Sequence, residues 1–540
     1  MFRGLHQRSN HVGCAFIVFS QIASAGLAAT ATRPSDADAV LDIGDRRQVF
    51  IDERFFAASH DVELVVHPPR KTGEHTLVAD RPWEGGHIGV YCCVHKVGEV
   101  YHLWYPASPG ICYARSKDGI HWEKPSLGLA EYKGSRDNNI VIGGGAAGLD
   151  KCGSEGMVFI DPTAPEDQRF RYAVRISDEL KDTVVFSSPD GIHWKLTHEH
   201  VLTFTAPQKP NHLDSQNVIF WDDRIGKYVA YMRRNIRKTG PRLRTVARSE
   251  SDHLGGFAEA QDAPIILGPD EQDAKLGDAN VMDYYTSGVI KYPWAQDAYY
   301  MFPQAYFHYT PRYLAEFPKD CPANSGPLDT RFAASRDGIA WNRFDRRPFV
   351  RLGMKGDFDS KCARVFYGLV PSVDGREMYL YYLGSDVLHG WAEDHPGQPP
   401  NERARAERSR RLLTAAGLAP TANTSIISRL VSRRDGFVSA RAAYAGGEFT
   451  TPPLRFAGRE LVLNVDTSAA GLLRCELLNE QGGPIEGYRL DQCDLIHTTN
   501  ELDRRVSWNG KTDLSALAGK PVRLRIVFRD TDVYAFQFRP

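Results

Sequence analysis

A short turn that returns along the chain constrains its fold more than any other feature. Arg115-Ser116-Lys117-Asp118-Gly119-Ile120-His121-Trp122 comes back as Ser187-Ser188-Pro189-Asp190-Gly191-Ile192-His193-Trp194, and again as Ser335-Arg336-Asp337-Gly338-Ile339-Ala340-Trp341. Two looser copies complete a series of five: Arg248-Ser249-Glu250-Ser251-Asp252 leading on to Phe257, and Ser432-Arg433-Arg434-Asp435-Gly436-Phe437. Intervals of roughly 60 to 100 residues suit a four-stranded sheet with its loops, repeated. The residue types fit a hairpin: an Asp carboxylate accepts turn N–H bonds, Gly supplies a positive φ, and the aromatic returns into the sheet. Five such hairpins predict an all-β chain built on a five-bladed β-propeller. Every copy would do the same mechanical job, so the motif is read as turn cap and inter-blade packing. Function is sought where the blades converge.

The strand pattern keeps the same rhythm. Five inner runs are expected at 87–95, 156–161, 216–221, 285–292 and 363–371, each followed by a run rich in aromatics, at 100–105, 170–176, 227–233, 298–302 and 378–383. Two long connections interrupt it. Residues 251–283 are rich in Asp, and 389–411 carry Arg403, Arg405, Arg408, Arg410 and Arg411, a run that could clamp an anion or simply form a solvated loop or short helix. Past Ser439, strands are expected at 454–465, 472–478, 484–490, 505–508, 522–528 and 533–538, with turns at Gln481-Gly482-Gly483 and Asp530-Thr531-Asp532. This reads as a C-terminal β-sandwich. Helix is confined to short stretches at 408–416 and 514–518. The expected organisation is a signal peptide over 1–30, a propeller catalytic domain over 40–438 and a sandwich over 439–540.

The N-terminus has the layout of an export signal: Arg3 and Arg8, a mostly apolar stretch over 12–22, then Ala23-Ser24-Ala25 or Leu27-Ala28-Ala29 for cleavage. Its apolar run is short, and no other stretch is long enough to cross a bilayer, so the mature protein is expected to be periplasmic or extracellular. With 66 basic and 67 acidic residues, charge gives no general reason to bind nucleic acid or an anionic membrane. The nine cysteines include no pair with zinc-site spacing, so no metal site is expected from them and mostly buried thiols are, with one or two bridges at most. The sequence leaves oligomeric state open.

A propeller axis gathers one inner-strand entrance from each blade. Standing there are Asp80, Glu84 and His87 in blade one, Glu155 in blade two, and His212, Asp214 and Gln216 in blade three. Blade four offers Asp283 and Tyr285, and blade five Asp357, Asp359 and Arg364. Glycoside cleavage needs two carboxyl groups in opposed protonation states, which a ring of rim acids can supply. The same acids could instead cap loop N–H groups, or hold a structural calcium ion at the axis. Trp83, Tyr91, Trp104, Tyr285, Tyr367 and Trp391 could stack on sugar rings or pack between blades. His87, His212 and His389 could bond sugar hydroxyls, and Arg233 and Arg364 could read a uronate or sulfate or pair with rim acids.

Together, the signal segment, the Ser-x-Asp-Gly-x-x-Trp hairpins and the terminal sandwich resemble the five-bladed glycoside hydrolase superfamily that includes families 32, 43, 68 and 130. Trp83-Glu84, 113–122, 214–221 and 435–438 are similar to segments of uncharacterised secreted bacterial proteins. The resemblance covers about residues 45–540 and implies a carbohydrate substrate, no required cofactor and three site acids. By blade position these are Glu84 or Asp80 as base, Asp214 as the orienting carboxylate, and Asp283 or Glu155 as acid. His87, His212, Tyr285, Arg233, Arg364 and Trp83 are the expected substrate-binding residues. The chain lacks the Trp-Met-Asn-Asp-Pro-Asn, Arg-Asp-Pro and Glu-Cys signatures of invertase-like enzymes; Asp161 in Phe159-Ile160-Asp161-Pro162 is read as a loop turn. Two other functions fit such a scaffold: a non-catalytic glycan-binding protein, and a lyase working through Tyr and His.

Overall fold

The computed structural model describes residues 39–107, 110–150, 153–175, 182–205, 213–236, 243–273, 275–276, 279–280, 282–308, 326–389 and 425–540. His212, Trp391, the arginine run, the N-terminal signal and the helix expected at 408–416 lie outside them. The described chain is nearly all β, with short 3-10 turns and no α-helix; the helix expected at 514–518 is one such turn, Ser515–Leu517.

Antiparallel meanders follow one another, forming a propeller-like ring in which strands of the fourth and fifth share one eight-stranded sheet. The first pairs Cys93–Val97, Val100–Ala107, Gly110–Ser116 and Ile140–Ile142; the second Met157–Ile160, Phe170–Arg175, Thr183–Ser188 and Lys195–Leu202; the third Val218–Asp222, Lys227–Ile236, Leu243–Ser251 and Ile265–Leu267. In the fourth each strand is broken in two, as where Tyr299–Met301 gives way to Gln304–Phe307 around Pro303, which has no N–H for a ladder. The second strands are largely buried on both faces between neighbouring blades, arginines such as Arg171 and Arg175 included. The outer strand Lys195–Leu202, by contrast, is mostly exposed and rich in polar side chains, which protects an open edge.

The fifth meander is closed from elsewhere. Glu377–Ser385 pairs with Ile426–Arg433, and the next strand is Arg70–Lys71, from before the first blade. Lys71 Nζ then reaches Asp359 Oδ2 at 2.6 Å.

The three strict hairpins repeat one geometry. Asp118 Oδ1 accepts the amides of Ile120 and His121, both at 2.8 Å, and Asp190 and Asp337 accept the matching amides at 2.8 to 2.9 Å. Gly119, Gly191 and Gly338 have φ of 72, 77 and 73°. Each of these glycine carbonyls also accepts a bond from the preceding blade: from Tyr381 Oη, from Trp104 Nε1 at 2.7 Å and from Tyr231 Oη at 3.0 Å respectively. The looser copies depart from this pattern. Asp252 caps no amide, and Ser251 Oγ accepts from His253 N in its place. Asp435 is buried and accepts from Arg47, Tyr292 and Asn464, tying blade four to the terminal sheet.

That sheet corrects the expected layout of the chain. Strands at Leu41–Gly44, Gln48–Val49, Ala58–His60 and Val62–Val66 pair within it, so residues ahead of the first blade belong with the C-terminal sheet rather than with the propeller. The strands expected at 454–465 and 472–478 become Leu454–Phe456 and one long strand, Glu460–Asn479; those expected at 522–528 and 533–538 merge into Val522–Arg539. The expected turn at 530–532 is a kink inside the ladder, with Asp530 at φ 44° opposite a register shift between Thr467 and Leu472. Residues 484–490 form no strand, whereas Asn500–Arg505 does. One apolar core, including Phe449, Leu463, Trp508, Ile526 and Phe536, fills the space the sheet encloses, as in a sandwich. The six described cysteines are free and buried.

Gly191 joins two constraints, since an added Cβ would lie 2.5 Å from Trp104 Cζ2 as well as sitting at positive φ. Gly191→Ala is expected to cost about 2–4 kcal/mol in urea unfolding. Gly226→Ala, at φ 65° with open space around it, should cost only about 1 kcal/mol.

Candidate active site

In an antiparallel meander the starts of the first and third strands and the end of the second share one end of the blade. The Ser-x-Asp-Gly hairpins follow third strands, so they occupy the opposite end, away from the hub mouth. At the mouth stand Tyr91 from blade one, Glu155 and Arg175 from blade two, and Asp214, Arg233 and Arg244 from blade three. Blade four adds Asp283, Tyr285, Tyr306 and His308, and blade five Cys362, Arg364 and His389.

An aromatic wall supports the cluster. Tyr91 and Tyr285 lie parallel to within 2° at 6.4 Å, and Tyr91 Oη donates to Tyr285 Oη at 3.0 Å. His389 meets Tyr285 and Tyr306 edge-on at 4.8 and 5.1 Å. The Arg244 guanidinium sits over both tyrosines, at 5.5 and 5.2 Å from the ring centres. Burial raises all three phenols above their ordinary value, so they remain neutral donors at physiological pH.

Three carboxylates belong to the mouth, and their surroundings differ. Asp283 is 0% exposed; its Oδ2 accepts from Arg244 through the amide at 3.1 Å and the guanidinium at 3.0 Å, with His308 Nε2 at 3.2 Å. Burial pushes this carboxyl up, but Arg244 and His308 outweigh burial and hold it below the ordinary value. A carboxylate so held has no proton to give at neutral pH, which sets Asp283 apart from a general acid. Asp214 is 39% exposed and ion-pairs with Arg233 at 2.9 Å. Glu155, 16% exposed, lies 3.7 Å from Arg175 Nη2, and the same nitrogen is 3.8 Å from Asp214. Glu155 and Asp214 can therefore be no further apart than those two distances laid end to end. That limit falls within the roughly 5–9.5 Å range of glycosidase carboxyl pairs.

Other expected site residues are committed elsewhere. Glu84 is 0% exposed and accepts from Tyr105 Oη at 2.6 Å, Lys124 Nζ at 2.6 Å and Arg81 N at 2.8 Å, all within the first blade and its leading loop. Trp83 Nε1 donates to Asn139 in the same network. Water cannot reach Glu84, so the structure corrects its expected role as base. Asp80 pairs with Lys124, Gln216 Nε2 bridges the carbonyls of Cys92 and Gly156, Asp357 caps Met354 N, and Asp359 holds Lys71 and Tyr382. His87 lies near Ser425 Oγ at 3.3 Å. Asp161 caps Thr163 N, as expected of a loop turn. The Asp-rich connection supplies Asp270 and Asp273, which pair with Arg343 and Arg346. Among the described residues no group of three or more His, Cys, Asp or Glu is placed to hold a metal ion.

Arg175, Arg244, Tyr306 and His308 were not expected at the mouth. They stand at second-strand ends or a third-strand start, and a buried Arg inside an apolar run, as in Phe170–Arg175, was the signal available.

Asp283→Asn is expected to lower stability by about 3–5 kcal/mol at neutral pH, because Arg244 loses its counter-ion in a buried setting. The lowered carboxyl stabilises the fold above its unfolded value and loses that effect as pH falls through the folded one. In denaturant titrations the gap between wild type and variant should therefore narrow below roughly pH 4.

No protein-family model matches the chain, and no curated protein matches it in sequence. Among solved structures, it is similar to a glycoside hydrolase at 14% identity and TM-score 0.42, over 68% of this chain and 92% of that one. It is also similar to an N-acetylgalactosamine deacetylase from F. plautii, at 13% identity and TM-score 0.42 over 68% and 95%. A thermostable family-43 glycoside hydrolase gives 16% identity and TM-score 0.39 over 65% and 89%.

Proposed function

We propose that the protein is an exported glycoside hydrolase that cleaves a glycosidic bond at the propeller hub. One observation carries this reading: Glu155 and Asp214, both reachable by solvent, face a single Arg175 nitrogen at the mouth. Asp214, clamped by Arg233, serves as the ionised partner that activates water or attacks the anomeric carbon. Glu155, the more enclosed and 3.7 Å from its arginine against 2.9 Å for Asp214, is the partner assigned to protonate the leaving oxygen. Asp283 is the counter-ion that fixes Arg244, and the Tyr91–Tyr285 wall offers neutral phenols to sugar hydroxyls. The first 30 residues serve as a cleaved export signal, and the propeller carries the catalytic function.

The phenol pair beside Arg244 also favours a second reading, β-elimination beside a uronate with a tyrosine moving the proton. The two reactions leave different products. Purified protein is incubated with a panel of polysaccharides and aryl glycosides, reading reducing ends and, separately, the ultraviolet absorbance of unsaturated products. Hydrolysis without unsaturation is expected, with Glu155→Gln and Asp214→Asn each losing roughly a hundredfold or more in rate. Turnover that survives both changes would remove the carboxylate mechanism; unsaturated products would establish the lyase, and binding without turnover a glycan-binding protein.

A further inference from the structure

The arginines of the mouth are not equivalent. Arg175, Arg233 and Arg244 each face a carboxylate of the cluster. Arg364 does not. It is 5% exposed, its Nε is buried without a hydrogen-bond partner, and among the described residues its guanidinium makes no ion pair.

Its direction follows from the strand that carries it. Cys362 and Arg364 are two apart in Cys362–Val365, so their side chains leave the same face. Cys362 packs with Tyr91, Tyr285 and Tyr306, and Arg364 thus faces the hub one strand repeat deeper than the tyrosine wall. The thiols of Cys92 and Cys362 feel its charge but do not cancel it, since burial raises both above the ordinary thiol value and keeps them neutral. A buried guanidinium left uncompensated is destabilising, and the natural compensation is a bidentate oxyanion.

We propose that the hub receives an anionic sugar, whose carboxylate or sulfate group is bound by Arg364 at the floor of the mouth. This rests on the reading of the hub as a carbohydrate site. A neutral glycan would leave the guanidinium desolvated and unpaired in the complex as well. The anionic group therefore decides affinity, while the carboxylates above it face the scissile bond.

The test is calorimetric titration of Glu155→Gln, alone and combined with Arg364→Met or Arg364→Lys, so that binding is read without turnover. The probes are oligogalacturonides and glucuronate-containing oligosaccharides against their methyl esters, and sulfated galactan oligosaccharides against desulfated ones. At least one anionic form should bind roughly tenfold or more tighter than its neutral counterpart. Arg364→Met should abolish that preference and Arg364→Lys retain part of it. Which pair shows the preference separates carboxylate from sulfate. Arg364→Met should also melt no lower than its parent, since it removes an uncompensated charge, and this confirms that lost binding is not lost folding. Equal binding of charged and neutral forms, a preference that survives Arg364→Met, or no binding of any anionic form would overturn the proposal. Hydrolysis of neutral glycans without anion preference would sink this inference and leave the hydrolase standing. Anion preference without turnover in the wild type would do the reverse.

Discussion

Three junctions of the ring share one contact between neighbours: an aromatic donor of one blade bonding the glycine carbonyl in the hairpin of the next. Tyr381 reaches Gly119, Trp104 reaches Gly191 and Tyr231 reaches Gly338. Each bond sets how two sheets face one another, and only a residue without Cβ leaves room for the donor ring at Gly191. The hairpins lie at the far end of the blades, yet they fix the angle at which the inner strands converge. Between blades two and three, where Glu155 and Asp214 meet, the looser hairpin makes no such bond among the described residues, and Tyr228 Oη donating to Asp161 Oδ2 at 2.9 Å links the two sheets instead.

At the mouth the controlling quantity is charge balance in a place with little water. Four guanidiniums stand among three carboxylates, and each carboxylate has a different share of solvent. The most enclosed, Asp283, is locked to Arg244; the more accessible pair is bridged by Arg175. Enclosure separates the three: Asp283 is sealed beneath its arginine, and only Asp214 and Glu155 are open to solvent. The tyrosine wall gives the Arg244 guanidinium aromatic faces to rest on.

The sequence made the hairpins legible because their chemistry is local: Ser, Asp and Gly at fixed offsets satisfy the same amides each time. Blade periodicity was enough to bring Glu155, Asp214, Asp283, Tyr285, Arg233 and Arg364 to the mouth. Glu84 misled, since its partner Lys124 lies forty positions away and nothing near it announces a salt bridge. Arg175 and Arg244 stand at a second-strand end and a third-strand start, which share the rim with the inner-strand entrances but carry no turn or motif that marks them in the sequence. In the terminal sheet, Asp530-Thr531-Asp532 has the composition of a turn, but a bulged ladder uses the same residues to bend without stopping. The early strands at 41–66 are short and do not alternate cleanly, and their partners, hundreds of positions later, leave no local trace.

The closing strand Arg70–Lys71 has a further consequence. Its partners Leu430 and Val431 come near the end of the propeller segment, so the circle stays open until almost the whole chain is present. Loop-closure entropy for such a distant pairing must be met before the last sheet contributes any stability. Folding is accordingly expected to be slow and to finish with the two ends of the ring meeting. A chain truncated before residue 430 would keep its strict hairpins but lack the circular enclosure that confines the arginines.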